Sequence, residues 1–288
     1  MAGFTFENPA VQSYAFYSGV LALKTLGMAL LTGRIRFRKK VFANEEDAKL
    51  RKSVVKYDDP DVERVRRAHL NDLENIPAFW LVGGLYLTTA PDAALAVNLF
   101  RVYTVGRILH TIVYAIKPLP QPARGISFGI PYLITVYMGL KVVLHYASAL
   151  SYAFYSGVLA LKTLGVAILT GRTRYRKKVF ANEEDTKSTK GIVKLDDPDV
   201  ERVRRAHLND LENIPAFWLI GGLYLTTAPD TALAVNLFRA YTVGRILHTI
   251  VYAVKPLPQP ARGISFGIPY LIMIYMGVKV VLFYASAL

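Results

Sequence analysis

The stretch ERVRRAHLNDLEN at Glu63–Asn75 decides how this chain folds, because seven of its thirteen residues are ionisable and it leads directly into the apolar sequence at 76–87. Ionisable side chains that enter a membrane span are costly and are seldom kept without a use. The same thirteen residues return at Glu201–Asn213. The stretch therefore predicts a membrane helix with a polar entry half, built twice, and it marks that half as a candidate site.

The chain is one module written twice. Residues 13–150 recur as residues 151–288 with a constant offset of 138 and no insertion or deletion, and eighteen of the 138 aligned positions differ. We therefore predict two domains, residues 1–150 and 151–288. Nearly unbroken apolar sequence surrounds the joint, so a turn is expected around Ala147–Ser151 with no flexible linker.

Each copy contains four apolar runs, each close to the ~20 residues that a helix needs to cross a bilayer. The first run lacks the positively charged start and the cleavage site of a signal peptide, so we expect it to be retained as a span. The predicted fold class is an all-α membrane protein with two tandem four-helix transmembrane bundles, or eight spans. In the first copy the runs are approximately Val11–Leu31, Val62–Leu87, Leu95–Ile116 and Ile126–Tyr146.

Charge and composition narrow the function classes. The chain is 53% hydrophobic, has a formal net charge of +14 and contains no cysteine, so it has neither a disulfide nor a thiol nucleophile of its own. Nine Lys and Arg residues fall between Arg34 and Lys56, and none falls in the turn after the second run. This distribution of Lys and Arg predicts that the first and third loops lie in the cytoplasm. Four spans per copy return the chain to its starting side, so the two copies are parallel, which argues against an inverted-repeat transporter. No nucleic-acid partner is predicted.

Helical spacing groups three different polar side chains in the second run. Relative to Arg67, Asn71 and Glu74 lie within about 40° of the same direction on a helix. A cation, an amide and a carboxylate on one stripe could hold a small zwitterion. An internal network of ion pairs between helices explains the same spacing equally well. His69 points away from Arg67, which favours a hydrogen bond between helices.

The third run also carries a polar stripe, which should face protein rather than lipid. We expect Arg107 to pair with Glu74 or Asp72 as a structural contact. Tyr114 is better placed for chemistry, because it lies near the cytoplasmic end and its phenol can donate a hydrogen bond. The residues of the stripe, at i, i+3, i+4 and i+7, are Arg107, His110, Thr111 and Tyr114.

Two helix starts can be predicted from their residues. Asp58–Asp61 places an aspartate and a proline at the start of the second run, which is typical of a structural N-cap. Arg124 follows the proline-rich turn Lys117–Pro122 and begins the fourth run. A guanidinium there creates an electropositive spot that favours an anion, including a thiolate, whose pKa it lowers. An arginine that faces lipid headgroups is the alternative.

Four motifs together resemble the membrane-associated eicosanoid and glutathione metabolism (MAPEG) family. They are Val41–Asp47, Glu63–Asn75, His110–Tyr114 and Pro118–Arg124, and the resemblance covers nearly all of each copy. It is closer to the glutathione transferases of that family than to its prostaglandin E synthases. The synthases carry an arginine where this chain has Leu70 and a serine where it has Gly125.

The resemblance implies four-helix bundles that assemble as a trimer, with glutathione bound as co-substrate between neighbouring units near the cytoplasmic face and with no metal. It implies that Arg124 and Arg262 stabilise the glutathione thiolate. Two departures matter: Ala48 and Thr186 replace the family's reactive cysteine, and a threefold assembly does not divide evenly into two-copy chains. By motif position, the implied glutathione-binding residues are Arg36, Arg66, Arg67, His69, Asn71, Glu74 and Tyr114 in the first copy, and Arg174, Arg204, Arg205, His207, Asn209, Glu212 and Tyr252 in the second.

The function implied by the resemblance is conjugation of glutathione to hydrophobic electrophiles, with peroxidase activity on lipid hydroperoxides. A glutathione-dependent isomerase of the prostaglandin E synthase type and a non-catalytic lipid-binding scaffold are the alternatives. A transporter or channel would require polar residues through the bilayer midplane, whereas here they cluster toward one side. The resemblance further implies that the protein resides in the endoplasmic reticulum or the mitochondrial outer membrane. It also implies membrane lipid as a partner and self-association through contacts between repeats.

Overall fold

The computed structural model describes residues 5–50, 52–149 and 151–285; the side chains of residues 50, 187 and 188 are not among the parts described. Helices account for most of these residues, which agrees with the predicted all-α fold. The first copy contains α1 (Pro9–Lys39), α2 (Glu45–Leu50), α3 (Pro60–Leu87), α4 (Ala93–Thr111) and α5 (Ala123–Tyr146). The second contains α6 (Tyr152–Lys177), α7 (Glu183–Thr189), α8 (Pro198–Thr226), α9 (Thr231–Thr249) and α10 (Ala261–Tyr284).

A short strand pair lies in the first loop of each copy. β1 (Val41–Phe42) pairs in parallel with β2 (Val54–Val55), and β3 (Val179–Phe180) pairs in the same way with β4 (Ile192–Val193). The six-residue helix α2 and its counterpart α7 lie between the paired strands. The loop that follows the first span is therefore folded in both copies.

The first helix is longer than its apolar run. The basic segment from Arg34 to Lys39, which the sequence placed in a loop, continues α1 as helix. Arginine and lysine are good helix formers, and cations in the last turn complement the helix dipole. The helix ends at Lys39, and the next residue, Lys40, caps it: its backbone is left-handed (φ 54°) and its N–H bonds to the carbonyls of Arg36 and Phe37. Arg36 is consequently held on a helix rather than on a mobile loop.

The predicted N-cap of the second span is confirmed. The side chain of Asp59 accepts hydrogen bonds of 3.1 Å from the backbone N–H groups of Asp61 and Val62, with Pro60 in the first turn. Asp61, which lies ahead of the apolar part of α3, pairs with Lys39 at the end of α1 and with Arg64. Hydrogen bonds from these two cations lower the pKa of Asp61. The contact ties the end of the first span to the start of the second.

Five helical segments of the described residues meet a length and hydropathy standard for a membrane span: Pro9–Lys39, Ala93–Ile116, Ala123–Tyr146, Tyr152–Lys177 and Ala261–Tyr284. The helices α3 and α8 are long enough, at 28 and 29 residues, but their first halves carry the charged block. The helix α9 differs from α4 by Thr231 for Ala93 and Ala240 for Val102, and both changes lower its hydropathy. The charged block thus accounts for α3 and α8, and two less apolar residues account for α9.

Aromatic side chains fill the core between α1, α3 and α4. The rings of Phe79 and Tyr103 stack with centroids 3.8 Å apart, and Tyr14 of α1 donates a 2.5 Å hydrogen bond to the carbonyl of Trp80. Phe79 is completely buried and also meets Phe100 edge to face. The second copy repeats the stack between α8 and α9, with Phe217 and Tyr241 in place of Phe79 and Tyr103.

The chain divides into two compact units, Met1–Thr135 and Val136–Leu288. The division falls within α5 rather than at the repeat boundary after residue 150. Inside the second unit, the end of α5 packs against α6: a Cβ placed on Gly139 would lie 2.9 Å from Cδ2 of Leu161. The predicted turn is confirmed, because α5 ends at Tyr146 and α6 begins at Tyr152.

Candidate functional site

A buried ionic cluster supports the polar half of the second span. Asp72 on α3 has no exposed surface; it accepts a 2.5 Å hydrogen bond from Arg107 of α4 and a second from Lys24 of α1. The predicted pairing of Arg107 is therefore confirmed, with Asp72 as its partner. The second copy has the same cluster at Asp210. In each copy, one carboxylate between two cations therefore joins the three helices that carry these side chains.

The same arginine also fixes an amide that the resemblance assigned to glutathione. Nη2 of Arg107 donates to Oδ1 of Asn71 over 2.9 Å, and Arg245 donates to Asn209 over the same distance. A guanidinium can only donate, so it takes the amide oxygen and leaves the amide NH₂ group for a ligand. Asn71 and Asn209 are thereby oriented as hydrogen-bond donors.

A cavity of about 280 Å³ opens beside Asn209 in the second copy. Four of its lining residues were predicted as glutathione ligands, so the stripe inferred from helical spacing on α8 does face one common space. They bring a guanidinium, an amide, a carboxylate and a phenol together. The lining residues are Arg205, Leu208, Asn209, Glu212, His248 and Tyr252.

The phenol belongs to a helix of unusual geometry. Both α4 and α9 end in a π-helical turn, Ile112–Ile116 and Ile250–Val254, and these turns carry Tyr114 and Tyr252. A π-turn adds a residue per turn and changes the direction of the side chains that follow it, and such turns are frequent at functional sites. The turn closes through a 2.8 Å bond from the Lys117 N–H to the carbonyl of Ile112.

The arginines predicted to act on the thiolate lie over these phenols. Cζ of Arg124 is 4.0 Å from the centre of the Tyr114 ring, and Cζ of Arg262 is 5.4 Å from that of Tyr252. Arg124 is buried, whereas Arg262 is half-buried and donates a 2.6 Å hydrogen bond to the carbonyl of Leu257. The two copies thus place the same residue in two different settings.

The remaining predicted ligands are spread more widely. Arg66 and Arg204 pair with glutamates three residues earlier, Glu63 at 2.7 Å and Glu201 at 2.6 Å. His207 is buried and does not line the cavity, although the resemblance assigned it to glutathione. Arg174 lies near the end of α6 and does not line this cavity. The first-copy residues lie on their own helices: Arg36 near the end of α1, and Arg67, Glu74 and half-buried His69 on α3.

Two lining residues, Leu208 and His248, were not among the predicted ligands, and of these only His248 has a side chain that can form hydrogen bonds. His248 borders the cavity, and its ring lies 5.4 Å from that of Tyr252; in the first copy His110 and Tyr114 are 5.3 Å apart. The position was noted only as part of a polar stripe on the third run. Its spacing of four residues from the tyrosine was the available signal, because residues at i and i+4 lie on one face of a helix.

Comparisons with known proteins agree with this architecture. A sequence profile of the MAPEG family matches residues 14–144 and again residues 152–282. Microsomal glutathione S-transferase 1 of Sus scrofa is 41% identical over 142 residues, which are 48% of this chain and 91% of that protein. The Homo sapiens protein of that name is 40% identical over 143 residues, with the same two shares. Prostaglandin E synthase of Homo sapiens is 39% identical over 139 residues, which are 48% of this chain and 90% of the synthase. Each relative has about the length of one repeat, so this chain belongs to the MAPEG family and carries its domain twice.

Proposed function

We propose that this chain is an integral-membrane glutathione transferase that conjugates glutathione to hydrophobic electrophiles and reduces lipid hydroperoxides at the expense of glutathione. One observation carries the proposal above all others. A single cavity of about 280 Å³ collects the guanidinium of Arg205, the amide of Asn209, the carboxylate of Glu212 and the phenol of Tyr252. The identity of 40–41% with two transferases supports the same assignment.

The chemistry of the cavity matches the charges of glutathione. The tripeptide carries two carboxylates and one ammonium group. Arg205 can pair with a carboxylate, Glu212 with the ammonium group, and the NH₂ group of Asn209 can donate to a carboxylate or a peptide carbonyl. The corresponding residues of the first copy are Arg67, Asn71, Glu74 and Tyr114. Asn71 accepts the same 2.9 Å hydrogen bond from Arg107 that Asn209 accepts from Arg245.

The thiol is activated by electrostatics. In this proposal the sulfur lies beside the pair formed by Tyr252 and Arg262, or by Tyr114 and Arg124 in the first copy. A guanidinium favours the charged thiolate, and a phenol can donate a hydrogen bond to it. The proton leaves to water, and the enzyme forms no covalent intermediate. Positioning and charge stabilisation supply the rate enhancement.

Both reactions use a substrate that arrives through the bilayer. In conjugation, the thiolate forms a carbon–sulfur bond with the electrophile, and the leaving group departs with its electron pair. In peroxide reduction, the thiolate attacks the O–O bond, releasing an alcohol and forming a glutathione sulfenic acid. A second glutathione then converts this acid to the disulfide and water. The chain has no cysteine, so the co-substrate supplies the thiol for both reactions.

The alternatives are a prostaglandin E synthase-like isomerase and a non-catalytic lipid-binding scaffold. Identity with a prostaglandin E synthase is 39%, but Leu70 and Gly125 depart from the synthase pattern. Retention of the polar residues in both copies speaks against the scaffold. We further propose residence in the endoplasmic reticulum or the mitochondrial outer membrane, with the site facing the cytoplasm and the repeats associating with one another in the lipid.

The test is a conjugation assay on the purified full-length chain, with chlorodinitrobenzene as the electrophile. The double variant Arg124→Ala with Arg262→Ala should lose conjugation while its expression and helix content stay unchanged. The matched control is Arg34→Ala with Arg172→Ala, which removes two exposed arginines outside the proposed site. Unchanged turnover in the first double variant would overturn the proposal. A calorimetric titration with glutathione tests binding separately, and prostaglandin H₂ as substrate tests the isomerase.

A further inference from the structure

The ionic cluster of the second copy reaches the cavity through one nitrogen atom. Nη2 of Arg245 donates to Oδ1 of Asp210 over 2.5 Å and to Oδ1 of Asn209 over 2.9 Å. Of these three residues, only Asn209 lines the cavity. The carboxylate therefore holds the guanidinium, and the guanidinium in turn holds an amide that a ligand can touch.

The cluster keeps this arginine in place. Asp210 is fully buried, and its second oxygen accepts from Lys162 of α6, so both carboxylate oxygens are occupied. Arg245 is 1% exposed, and breaking its buried pair with Asp210 would be costly. The amide oxygen of Asn209 is therefore held on Arg245, and its NH₂ group is the end left for a ligand. The first copy has the same three bonds.

The cluster also places positive charge behind the amide. Lys162 and Arg245 carry two positive charges against the single carboxylate of Asp210. Nε of Arg245 is buried and has no hydrogen-bond partner. Among the residues that line the cavity, Arg205 and Glu212 offset each other in formal charge. The excess charge of the cluster therefore favours an anion beside the amide over a neutral carbonyl.

Resting on the proposed function, in which the cavity binds glutathione, we propose that Arg245 is a positioning residue that makes Asn209 select a carboxylate of the tripeptide. Arg107 does the same for Asn71 in the first copy. An amide that is free to turn presents its oxygen or its NH₂ group and so takes a donor as readily as an acceptor. Held by the guanidinium, the amide only donates, and the charge behind it favours a carboxylate over the two peptide carbonyls of glutathione.

Two analogues of glutathione that lack one carboxylate each serve as probes. The peptide 4-aminobutyryl-cysteinyl-glycine lacks the carboxylate of the γ-glutamyl residue, and γ-glutamyl-cysteinyl-ethylamide lacks that of glycine. Calorimetric titration of the full-length chain in detergent gives a Kd for glutathione and for each analogue. The ratio of the Kd of an analogue to that of glutathione measures how strongly the site recognises the missing carboxylate. A residue that only holds helices together would not change this ratio.

Two matched double variants separate the orientation of the amide from the charge behind it. Arg107→Met with Arg245→Met frees both amides and leaves a neutral Lys–Asp pair in each copy. Lys24→Met with Lys162→Met removes the same charge but leaves the Arg–Asp pair, which still holds each amide. Neither variant leaves an uncompensated charge within the cluster, and circular dichroism compares their helix content.

In the unmodified chain, one analogue should bind about tenfold or more weakly than glutathione, the loss expected for a hydrogen bond to a charged group. Its ratio should fall below about threefold in the arginine double variant and stay within about twofold of the original in the lysine double variant. The ratio for the other analogue should be the same in all three proteins. Asn71→Leu with Asn209→Leu removes the amide itself and should lower the first ratio in the same way, which keeps the test open if the arginine variant does not fold.

Three results would overturn the proposal. Ratios that are unchanged in the arginine or the asparagine variant would show that the amide does not select a carboxylate. An equal fall in the arginine and lysine variants would show that charge alone selects it. Two analogues that bind the unmodified chain as tightly as glutathione would show that neither carboxylate is recognised. If the unmodified chain does not bind glutathione at all, the proposed function itself is wrong, which is a distinct outcome.

Discussion

The helices α1 and α6 have nearly the same sequence and lie in two different environments. Residues 13–27 and 151–165 are identical, yet 11% of the most apolar stretch of α1 is buried and 50% of that of α6. Leu26 is 65% exposed, whereas its counterpart Leu164 is 2% exposed. A segment of identical sequence is thus buried to different extents because its neighbours differ, and for α6 the end of α5 is one of those neighbours.

The ionic cluster around Asp72 and Asp210 behaves in the opposite way. The bond from Arg107 to Asn71 and the bond from Arg245 to Asn209 are both 2.9 Å long, and Asp72 and Asp210 are equally buried. These contacts are made within one repeat, so the surroundings of the repeat do not alter them. The contrast predicts that a substitution in the ionic cluster lowers the free energy of unfolding by the same amount in either copy. A substitution on the α1 or α6 face should lower it by different amounts in the two copies.

The largest effect is expected from the ionic cluster. Asp210→Leu leaves Lys162 and Arg245 buried without a counter-charge, and breaking a buried pair in this way costs about 3–5 kcal/mol of the free energy of unfolding. Asp72→Leu should cost the same within about 1 kcal/mol. The measurement is chemical unfolding of each variant in detergent, with helix content as the signal.

Asp58→Leu is the matched control, because its side chain is 78% exposed and the change should leave the unfolding transition in place. A cluster that stabilises only one copy would show as a large difference between Asp72→Leu and Asp210→Leu. That outcome would end the view that each repeat holds its site independently.

The next effect comes from the outer faces and should differ between the copies. Leu164→Ala removes a buried side chain and should lower the free energy of unfolding by roughly 2–4 kcal/mol. Leu26→Ala changes an exposed side chain and should alter the free energy of unfolding of the detergent-solubilised chain by less than about 0.5 kcal/mol. Thermal unfolding of the two variants measures both. Equal losses would mean that α1 is covered as fully as α6 under those conditions.

Much of the fold could be predicted because its determinants are local. The apolar runs, the N-cap at Asp59 and the turn before Tyr152 are read from consecutive residues. Charge predicts a loop after the first apolar run, but α1 extends to Lys39 because arginine and lysine also favour helix. The compact division inside α5 could not be predicted, since it depends on a contact between Gly139 and Leu161.

The site was predictable to the extent that it follows one helix. Arg205, Asn209 and Glu212 share a face of α8 through helical spacing, and they do line one cavity. The role of Arg245 in orienting Asn209 required knowing which helices touch. The position of Tyr252 depends on a π-turn, which adds one residue to a turn of α-helical sequence and leaves no clear local signature.

The smallest effect tests whether the two settings of the arginine that we propose to stabilise the thiolate differ in catalysis. Arg124 is buried with Cζ 4.0 Å from the Tyr114 ring, and Arg262 is half-buried at 5.4 Å from Tyr252. If both sites work, Arg124→Ala and Arg262→Ala should each retain about half of the conjugation rate at saturating glutathione, because the untouched copy continues. Initial rates, normalised to folded protein and compared with Arg34→Ala, give the fractions. A ratio between the two variants that departs from one would show that the setting of the arginine, and not its identity, governs turnover. Complete loss from either single variant would instead mean that one copy alone is active or that the two copies share one site.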